Sequence, residues 1–402
     1  MPHKFLLFGT GIGGNYGCDA IVIGSAFILR NSFPNSEIWF YSNSSRKVNY
    51  DKIVGPSSGI MFKGNDFSNR IVHLGRRIFE KTGISNRSLF AYSPKLTKQA
   101  DCILSIGGDL YTFAENEENW PFPYPIVEAG NEIIRTGKPY VIWCASVGPL
   151  EKAGDRLGEI IQHLRSCRAI IVRETASFSY LRNTIGLRDN VYLAADPAFL
   201  METEPFEYPF LKKMGDTKLL AVNFSLGPMQ HIYGHLPVTE FQNKLSGILK
   251  ELLENLPIKI LLVPNVGSDV PFMTPIHESL ANYSENRIQM LPVAIGARKT
   301  KWAVSKANAL LTMRFHCALA GFSTNTPTMV LVSTSKGDKI CREMYGDSDY
   351  AVNIRDMNVS NLIPPIAYLL KNEDSIRSRL TQVSEEMKRR ALSAGEVLKN
   401  IL

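Results

Sequence analysis

The chain has 402 residues, of which 45% are apolar and 21% are charged, and its formal net charge is +7. This length predicts two or three domains, and the composition excludes disordered, collagen-like and coiled-coil proteins. No apolar run approaches the roughly 20 residues that span a bilayer, and the first residues lack the apolar core of a secretory signal. We therefore expect a cytoplasmic protein.

The six cysteines are scattered along the chain and never form a C-x-x-C pair. The histidines show no H-E-x-x-H spacing. These patterns predict reduced, mostly buried thiols, with neither a disulfide scaffold nor a bound metal.

Most of the excess charge lies in residues 63–98, where eight basic residues stand against two acidic ones. Apolar residues interleave with the basic ones in an amphipathic pattern. The pattern predicts either peripheral contact with the anionic inner face of a membrane or a solvated surface helix. We predict no nucleic-acid partner.

Short apolar runs alternate with helical patterns through the first half of the chain. Strands are predicted at 4–8, 37–41, 102–106, 140–145, 169–172 and 191–194, and helices at 18–31, 125–136, 155–166 and 175–184. Strands that are apolar on both faces and alternate with helices indicate a parallel sheet covered by helices.

Residues 204–217 interrupt this alternation with prolines and charges, which predicts a linker. The alternation then resumes, with strands at 218–223, 258–263, 287–291, 309–313 and 328–332 and helices at 238–255, 270–282, 294–306 and 316–323. The predicted fold class is α/β, with two Rossmann-like, doubly wound domains (1–203 and 218–373) facing each other across a cleft. A C-terminal helix at 374–402 is expected to pack back on the first domain.

Gly9, Gly11 and Gly14 follow the first predicted strand with the spacing G-x-G-x-x-G. Such glycines permit a tight turn and let the backbone approach an anion at a helix N-terminus. NAD is disfavoured because no acidic residue follows the second strand, whereas Arg46 keeps an NADP site open. A tight turn without any ligand is the alternative.

Small, polar and charged residues follow the predicted strands at their carboxyl ends, the edge where open α/β sheets bind ligands. In the first half they are Gly107, Gly108, Asp109, Ser146, Arg173 and Asp196, and in the second half Arg314, His316 and Lys336. If the chain stays extended through residue 316, Arg314 and His316 point to the same face. The pair would then hold an anion beside a titratable imidazole. The alternatives are a core or capping role for the histidine and an N-cap role for the two aspartates.

Seven segments, in this order, resemble the polysaccharide pyruvyl transferase family over about residues 5–345. They are Gly14-Asn15-Tyr16-Gly17-Cys18-Asp19-Ala20, Ser105-Ile106-Gly107-Gly108-Asp109, Ser146-Val147-Gly148-Pro149, Val172-Arg173-Glu174-Thr175-Ala176-Ser177, Ala195-Asp196-Pro197-Ala198-Phe199, Met313-Arg314-Phe315-His316 and Lys336. The sequence departs from the family pattern in two places. Cys18 follows Gly17 where many members have an aspartate, so that the acid is Asp19, and the loop at 264–269 lacks the histidine of many relatives.

The resemblance implies a GT-B-like architecture and transfer of pyruvate from phosphoenolpyruvate to two hydroxyls of a sugar, as a ketal, with release of phosphate and without a cofactor. It implies that Arg173, His316 and Lys336 handle the donor, with Arg173 contributed by the first, acceptor-side domain. The acceptor would be a glycan, free or lipid-linked. Expected acceptor or loop contacts are Gly14, Asn15, Gly17, Asp19, Gly107, Gly108 and Ser146.

The residue types suit this chemistry. Phosphoenolpyruvate carries a carboxylate and a phosphate, for which Arg173, Arg314 and Lys336 are suitable cations. Ketal formation needs a general acid, for which His316 is the candidate, and a base, for which Asp109 and Asp196 are candidates. The competing functions are a GT-B glycosyltransferase using a nucleotide sugar, an NADP-dependent oxidoreductase and a non-catalytic carbohydrate-binding protein.

Overall fold

The computed structural model describes residues 2–42, 53, 59–63, 92–113, 123–212, 217–234, 236–283, 287–292 and 294–402. The chain forms two compact units. The N-terminal unit comprises Met1–Gly13, Ile21–Leu200 and Lys388–Leu402, and the C-terminal unit comprises Gly14–Ala20 and Met201–Met387. Most of the basic stretch 63–98 lies outside the described residues, so its membrane contact stays a prediction.

The N-terminal unit is built on a parallel sheet of seven strands. They are β1 (Lys4–Phe8), β2 (Glu37–Phe40), β3 (Ile60–Phe62), β4 (Cys102–Ile106), β5 (Tyr140–Ala145), β6 (Ala169–Val172) and β7 (Val191–Leu193). Their order is β3-β2-β1-β4-β5-β6-β7. The central strands β4, β5 and β6 are buried along their whole length because helices cover both faces of the sheet.

The helices described in the first half of the chain are α1 (Tyr16–Ser32), α2 (Pro94–Gln99), α3 (Tyr124–Arg135), α4 (Leu157–Ser166) and α5 (Thr175–Ser179). In α3, Ile126, Ala129 and Ile133 recur at helical spacing and are buried in the core. The helix predicted at 175–184 is divided, since α5 passes into a π-helical turn at Tyr180–Thr184.

The C-terminal unit has a parallel sheet of six strands. They are β8 (Lys218–Asn223), β9 (Ile258–Leu262), β10 (Ile288–Met290), β11 (Ala309–Thr312), β12 (Thr328–Val332) and β13 (Ala351–Asn353), in the order β10-β9-β8-β11-β12-β13. The chain winds outward from the central pair β8 and β11, where Leu310 lies beside Ala221. This is the doubly wound order that the sequence predicts.

The helices of the second half are α6 (Pro209–Lys212), α7 (Leu226–Tyr233), α8 (Val238–Asn255), α9 (Asp269–Ser279), α10 (Ala297–Ser305), α11 (Phe315–Ser323), α12 (Ser335–Tyr345), α13 (Val359–Lys371) and α14 (Glu373–Ile401). Helix α14 belongs to the C-terminal unit up to Met387 and to the N-terminal unit from Lys388 onward. None of the helices in the described ranges is both long and apolar enough to cross a bilayer.

Candidate active site

The centre of the candidate site is the carboxyl edge of the C-terminal sheet, where the direction of strand succession reverses between β8 and β11. Crevices at such switch points are the usual ligand sites of open α/β sheets. Helices α7, α11 and α12 begin just after the neighbouring strands β8, β11 and β12. Three helix N-termini therefore start from the same edge of this sheet.

The N-cap residues of these three helices are Ser225, Arg314 and Thr334, and none of their side chains caps its own helix. A helix N-terminus carries a partial positive charge from its aligned peptide dipoles. Here the hydroxyl of Ser225 donates to Asp269 instead, and Arg314 has no side-chain oxygen to offer. Thr334 makes no capping hydrogen bond. The edge is consequently suited to a ligand with more than one negative group.

Arg314 is held at this edge by a buried carboxylate. Its Nη2 lies 3.4 Å from Oδ1 of Asp269, which is completely buried at the start of α9. The same Oδ1 accepts a 2.6 Å hydrogen bond from the hydroxyl of Ser225, which explains why that hydroxyl does not cap α7. The Arg314 side chain keeps 27% of its surface exposed, so a ligand can reach it.

His316 is the second residue of α11 and packs against a glycine from a distant part of the sequence. A Cβ added at Gly17 would lie 2.6 Å from both Cγ and Nδ1 of the imidazole. Real Cβ atoms do not approach other atoms so closely, and therefore only glycine leaves room for the ring in this position. Gly17 and His316 both belong to the C-terminal unit.

Lys336 lies in the first turn of α12 and is half-buried. It follows β12, whose residue Val330 is the register partner of Thr312 at the end of β11. Because the carboxyl ends of parallel neighbours meet at one edge, Lys336 belongs to the same edge as Arg314 and His316. The sequence predicted this grouping.

The chain does not stay extended through residue 316, which was the condition for Arg314 and His316 to share a strand face. Strand β11 ends at Thr312, Arg314 is the N-cap, and α11 begins at Phe315. Strand alternation therefore does not relate Arg314 to His316. The start of the helix brings both to its positive end instead.

Residues Gly14–Ala20 form part of the C-terminal unit. Asn15 makes an isolated antiparallel bridge with Val266, and the amide of Tyr16 donates to the carbonyl of Asn265 at 3.0 Å. The amide of Gly17 donates to Oδ1 of Asn15 at 2.9 Å. The first amides of α1 are thus occupied by protein acceptors, which argues against the alternative of a dinucleotide phosphate here. Arg46, on which that alternative relied, lies outside the described residues.

A second polar cluster surrounds Arg173 in the N-terminal unit. Its guanidinium donates to Oδ2 of Asp196 at 2.7 Å, to Oδ1 of Asp109 at 3.0 Å and to the hydroxyl of Ser146 at 3.0 Å. The side chains of Arg173 and Asp196 are almost completely buried, whereas that of Asp109 is 39% exposed. These four predicted site residues therefore lie together.

Burial lowers the pKa of Arg173, but the charges of Asp196 and Asp109 more than offset this effect, so the pKa is raised. Gly108 makes room for the guanidinium, since a Cβ there would lie 2.6 Å from its Nη1. The preceding Gly107 has a φ of 147°, which favours glycine. These two predicted loop glycines thus shape the Arg173 cluster.

Asp19 is buried in the first turn of α1, and its charge raises the pKa of Tyr16, although burial of the phenol is the larger cause. The six cysteines carry thiols rather than disulfides, and five of them are buried. Burial raises the pKa of Cys317, which adjoins His316, to about 12, so this thiol is poorly suited to be a nucleophile. Within the described ranges, no group of three or more His, Cys, Asp or Glu side chains is placed to hold a metal ion; metal-independent activity stays a prediction.

Sequence reasoning did not identify Asp269 and Ser225 as site residues. Ser225 comes two residues after the end of β8, so the criterion of polar residues after strands could have found it. Asp269 comes seven residues after the end of β9, and only its contacts with Ser225 and Arg314 reveal it.

The family model "Polysaccharide pyruvyl transferase" matches residues 15–335 of the chain. The chain belongs to this family. The match spans the segment packed against His316, the Arg173 cluster and the edge that carries Arg314, and it ends next to Lys336. Among curated proteins, none matches the sequence significantly.

Solved structures share the fold at low sequence identity. Staphylococcus aureus MnaA, solved with UDP, has a TM-score of 0.57 at 14% identity, with 97% of this chain and 91% of that chain covered. Medicago truncatula UGT71G1, solved with UDP-glucose, has a TM-score of 0.56 at 11% identity, with 100% and 98% covered. The fold is therefore that of GT-B glycosyltransferases and epimerases, as the resemblance implied.

Proposed function

We propose that this family member transfers the pyruvyl group of phosphoenolpyruvate to two hydroxyls of a sugar, forms a pyruvate ketal and releases phosphate. The observation that carries the proposal is the placement of Arg314, His316 and Lys336 at one edge of the C-terminal sheet, where three helices begin without side-chain caps. Two cations and three helix dipoles match a donor with a carboxylate and a phosphate.

Arg314 suits the donor carboxylate or phosphate because its planar guanidinium can bind either with two parallel hydrogen bonds. Lys336 supplies a compact charge to the other anionic group. In the transition state, negative charge grows on the departing phosphate, and cations fixed in advance stabilise it without rearrangement. Arg173 as a donor contact stays a prediction from the family resemblance.

In the first step, His316 as an imidazolium protonates C3 of phosphoenolpyruvate, so that the methylene becomes a methyl group and C2 becomes electrophilic. One sugar hydroxyl then forms a C2–O bond and loses its proton. The C2–O bond to phosphate breaks next, and the second hydroxyl adds to C2 with loss of its own proton. One of the two hydroxyl protons restores the imidazolium of His316, and the other leaves with the phosphate.

Of the two candidate bases, Asp109 suits the role better than Asp196. Both oxygens of Asp196 are engaged, Oδ2 with Arg173 and Oδ1 with the amide of Ala198 at 2.9 Å. The side chain of Asp109 is 39% exposed, whereas that of Asp196 is only 4% exposed. A carboxylate that can exchange with solvent is the better acceptor of a hydroxyl proton.

The test is incubation of the full chain with phosphoenolpyruvate and a panel of glycans in deuterium oxide, with and without EDTA. We expect phosphate release together with a product that contains pyruvate less one water and one deuterium in its methyl group. UDP-glucose and UDP-N-acetylglucosamine serve as comparison donors. Transfer from a nucleotide sugar without any pyruvyl product would overturn the proposal.

A further inference from the structure

We infer that Asp269 is a positioning residue that aligns Arg314 for anion binding. The inference rests on the proposed function in one respect, namely that the anion is phosphoenolpyruvate. Asp269 lies outside the seven segments of the family resemblance. Its carboxylate is the acceptor in each of its own hydrogen bonds described below.

Hydrogen bonds fix both carboxylate oxygens of Asp269. Oδ2 accepts from the backbone amides of Asn265 at 2.9 Å and Val266 at 3.1 Å, and from Nδ2 of Asn223 at 3.3 Å. These bonds tie it to the end of β8 and to the loop after β9. The carboxylate therefore cannot rotate, and its other oxygen keeps one direction.

That other oxygen, Oδ1, lies between the hydroxyl of Ser225 at 2.6 Å and Nη2 of Arg314 at 3.4 Å. The longer distance leaves the guanidinium oriented but incompletely paired. The Nε of Arg314 is buried and forms no hydrogen bond within the described part of the chain. Arg314 therefore keeps donor capacity for a ligand, in a direction set by Asp269.

The negative charge of Asp269 also opposes an incoming anion, so two effects compete. The charge is spread over hydrogen bonds from four donors besides Arg314, and this reduces its repulsion of an anion. Loss of alignment, by contrast, costs ordering entropy for a long side chain. We expect alignment to dominate.

The chain provides a matched control in Glu373, a second carboxylate of the C-terminal unit that pairs with an arginine. Glu373 accepts from Nζ of Lys218, Nδ2 of Asn308 and Nε of Arg377 at 2.9, 2.6 and 2.8 Å. Lys218 begins β8 and Asn308 precedes β11, so this cluster lies at the amino-terminal edge of the sheet. A general loss of structure would lower ligand affinity in both Asp269→Asn and Glu373→Gln. An effect that acts through Arg314 would lower it only in Asp269→Asn.

The experiment measures, by calorimetry, the affinity of the full chain and its variants for phosphoenolpyruvate and for inorganic phosphate. The variants are Asp269→Asn, Ser225→Ala, Glu373→Gln, Arg314→Ala and the double variant Asp269→Asn/Arg314→Ala. We expect Asp269→Asn to weaken both ligands by about tenfold or more, as loss of a hydrogen bond to a charged group would. Ser225→Ala should weaken them less, and Glu373→Gln should not weaken them. In the Arg314→Ala background, Asp269→Asn should change affinity by less than about twofold, because the two residues act through one contact.

Unchanged affinity in Asp269→Asn, or an equal loss in both backgrounds, would overturn the inference. If phosphate binds with the expected pattern but phosphoenolpyruvate does not, the proposed function fails and the inference stands. If neither ligand binds the unmodified chain, both fail. Should Asp269→Asn not fold, Ser225→Ala decides, because it keeps the charge and removes one donor; unchanged affinity there overturns the inference.

Discussion

The imidazole of His316 lies directly against Gly17, although the two residues are separated by most of the chain. A Cβ on residue 17 would stand 2.6 Å from the ring nitrogen Nδ1. The glycine belongs to the segment that bridges to Val266, so its position is fixed by backbone contacts as well. The ring of the proposed acid is therefore confined by a residue of the first βα turn.

Gly17→Ala should impair turnover with little effect on folding. The added methyl must displace the His316 ring, while alanine in a helix is favoured over glycine by up to about 1 kcal/mol. We expect a fall in kcat of about tenfold or more, measured as phosphate release, with an unchanged melting temperature. Gly158→Ala is the control, because Gly158 is the second residue of α4, as Gly17 is of α1, and a Cβ there meets nothing within 4 Å. Equal activity of the two variants would contradict this interpretation.

Asp196 and Asp109 pair with the same guanidinium but should contribute unequally to stability. Asp196→Ala leaves the buried Arg173 without its buried partner, which typically costs about 3–5 kcal/mol. Asp109→Ala removes a partly exposed pair, for which about 1 kcal/mol or less is typical. Urea unfolding of the two variants measures the difference. Similar losses of unfolding free energy in the two variants would show that burial does not determine how much each aspartate stabilises the protein.

His163 should make the N-terminal unit sensitive to acid. Its Nδ1 lies 2.8 Å from Oδ1 of Asn131 and its ring stacks on Tyr111, and burial lowers its pKa to about 4. Because the unfolded imidazole has a pKa near 6.5, the unfolded state binds the proton first as pH falls. Stability is therefore lost between about pH 6.5 and pH 4.

Linkage puts this loss at about 2 kcal/mol between pH 7 and pH 5. His163→Gln lacks the titrating group, so its free energy of unfolding should fall by that much less over the same interval. Urea unfolding at the two pH values makes the comparison. An identical pH dependence in both proteins would rule out His163 as the cause.

Arg314 and His316 should fail in different ways when they are removed. Arg314→Ala should weaken phosphoenolpyruvate binding by about 1.5–3 kcal/mol, the range for a charged hydrogen bond. His316→Ala should keep much of that affinity and lose about 10²–10⁴-fold in rate, as proton-transfer residues do. Calorimetry beside single-turnover kinetics separates the two. Normal turnover in His316→Ala would transfer the acid role to Asp109 or Asp196.

Much of the fold follows from local pattern. Every strand that the sequence predicts is present to within one residue at each end, because fully buried parallel strands are continuous apolar runs. The edge strands Ile60–Phe62 and Ala351–Asn353 were not predicted; each has three residues, one of which is exposed, so neither is a buried apolar run. Arg314 and Lys336 were likewise predicted as site residues because they come just after the carboxyl ends of predicted strands.

The remaining part of the site depends on contacts between distant segments. The glycines after β1 suggested an open anion-binding turn, but Asn15 bridges to Val266, some 250 residues away in the sequence. Local spacing carries no signal for such pairing. The same limit applies to Asp269, whose role depends on Ser225 and Arg314 from two other strand ends.

Titration of the unmodified chain with phosphoenolpyruvate, beside UDP-glucose and UDP-N-acetylglucosamine, identifies the donor. No acceptor is needed, and calorimetry reports each affinity independently. We predict that phosphoenolpyruvate binds, that Arg314→Ala and Lys336→Ala each weaken this binding, and that the two nucleotide sugars bind weakly or not at all. Tight binding of a nucleotide sugar together with no detectable binding of phosphoenolpyruvate would contradict this prediction.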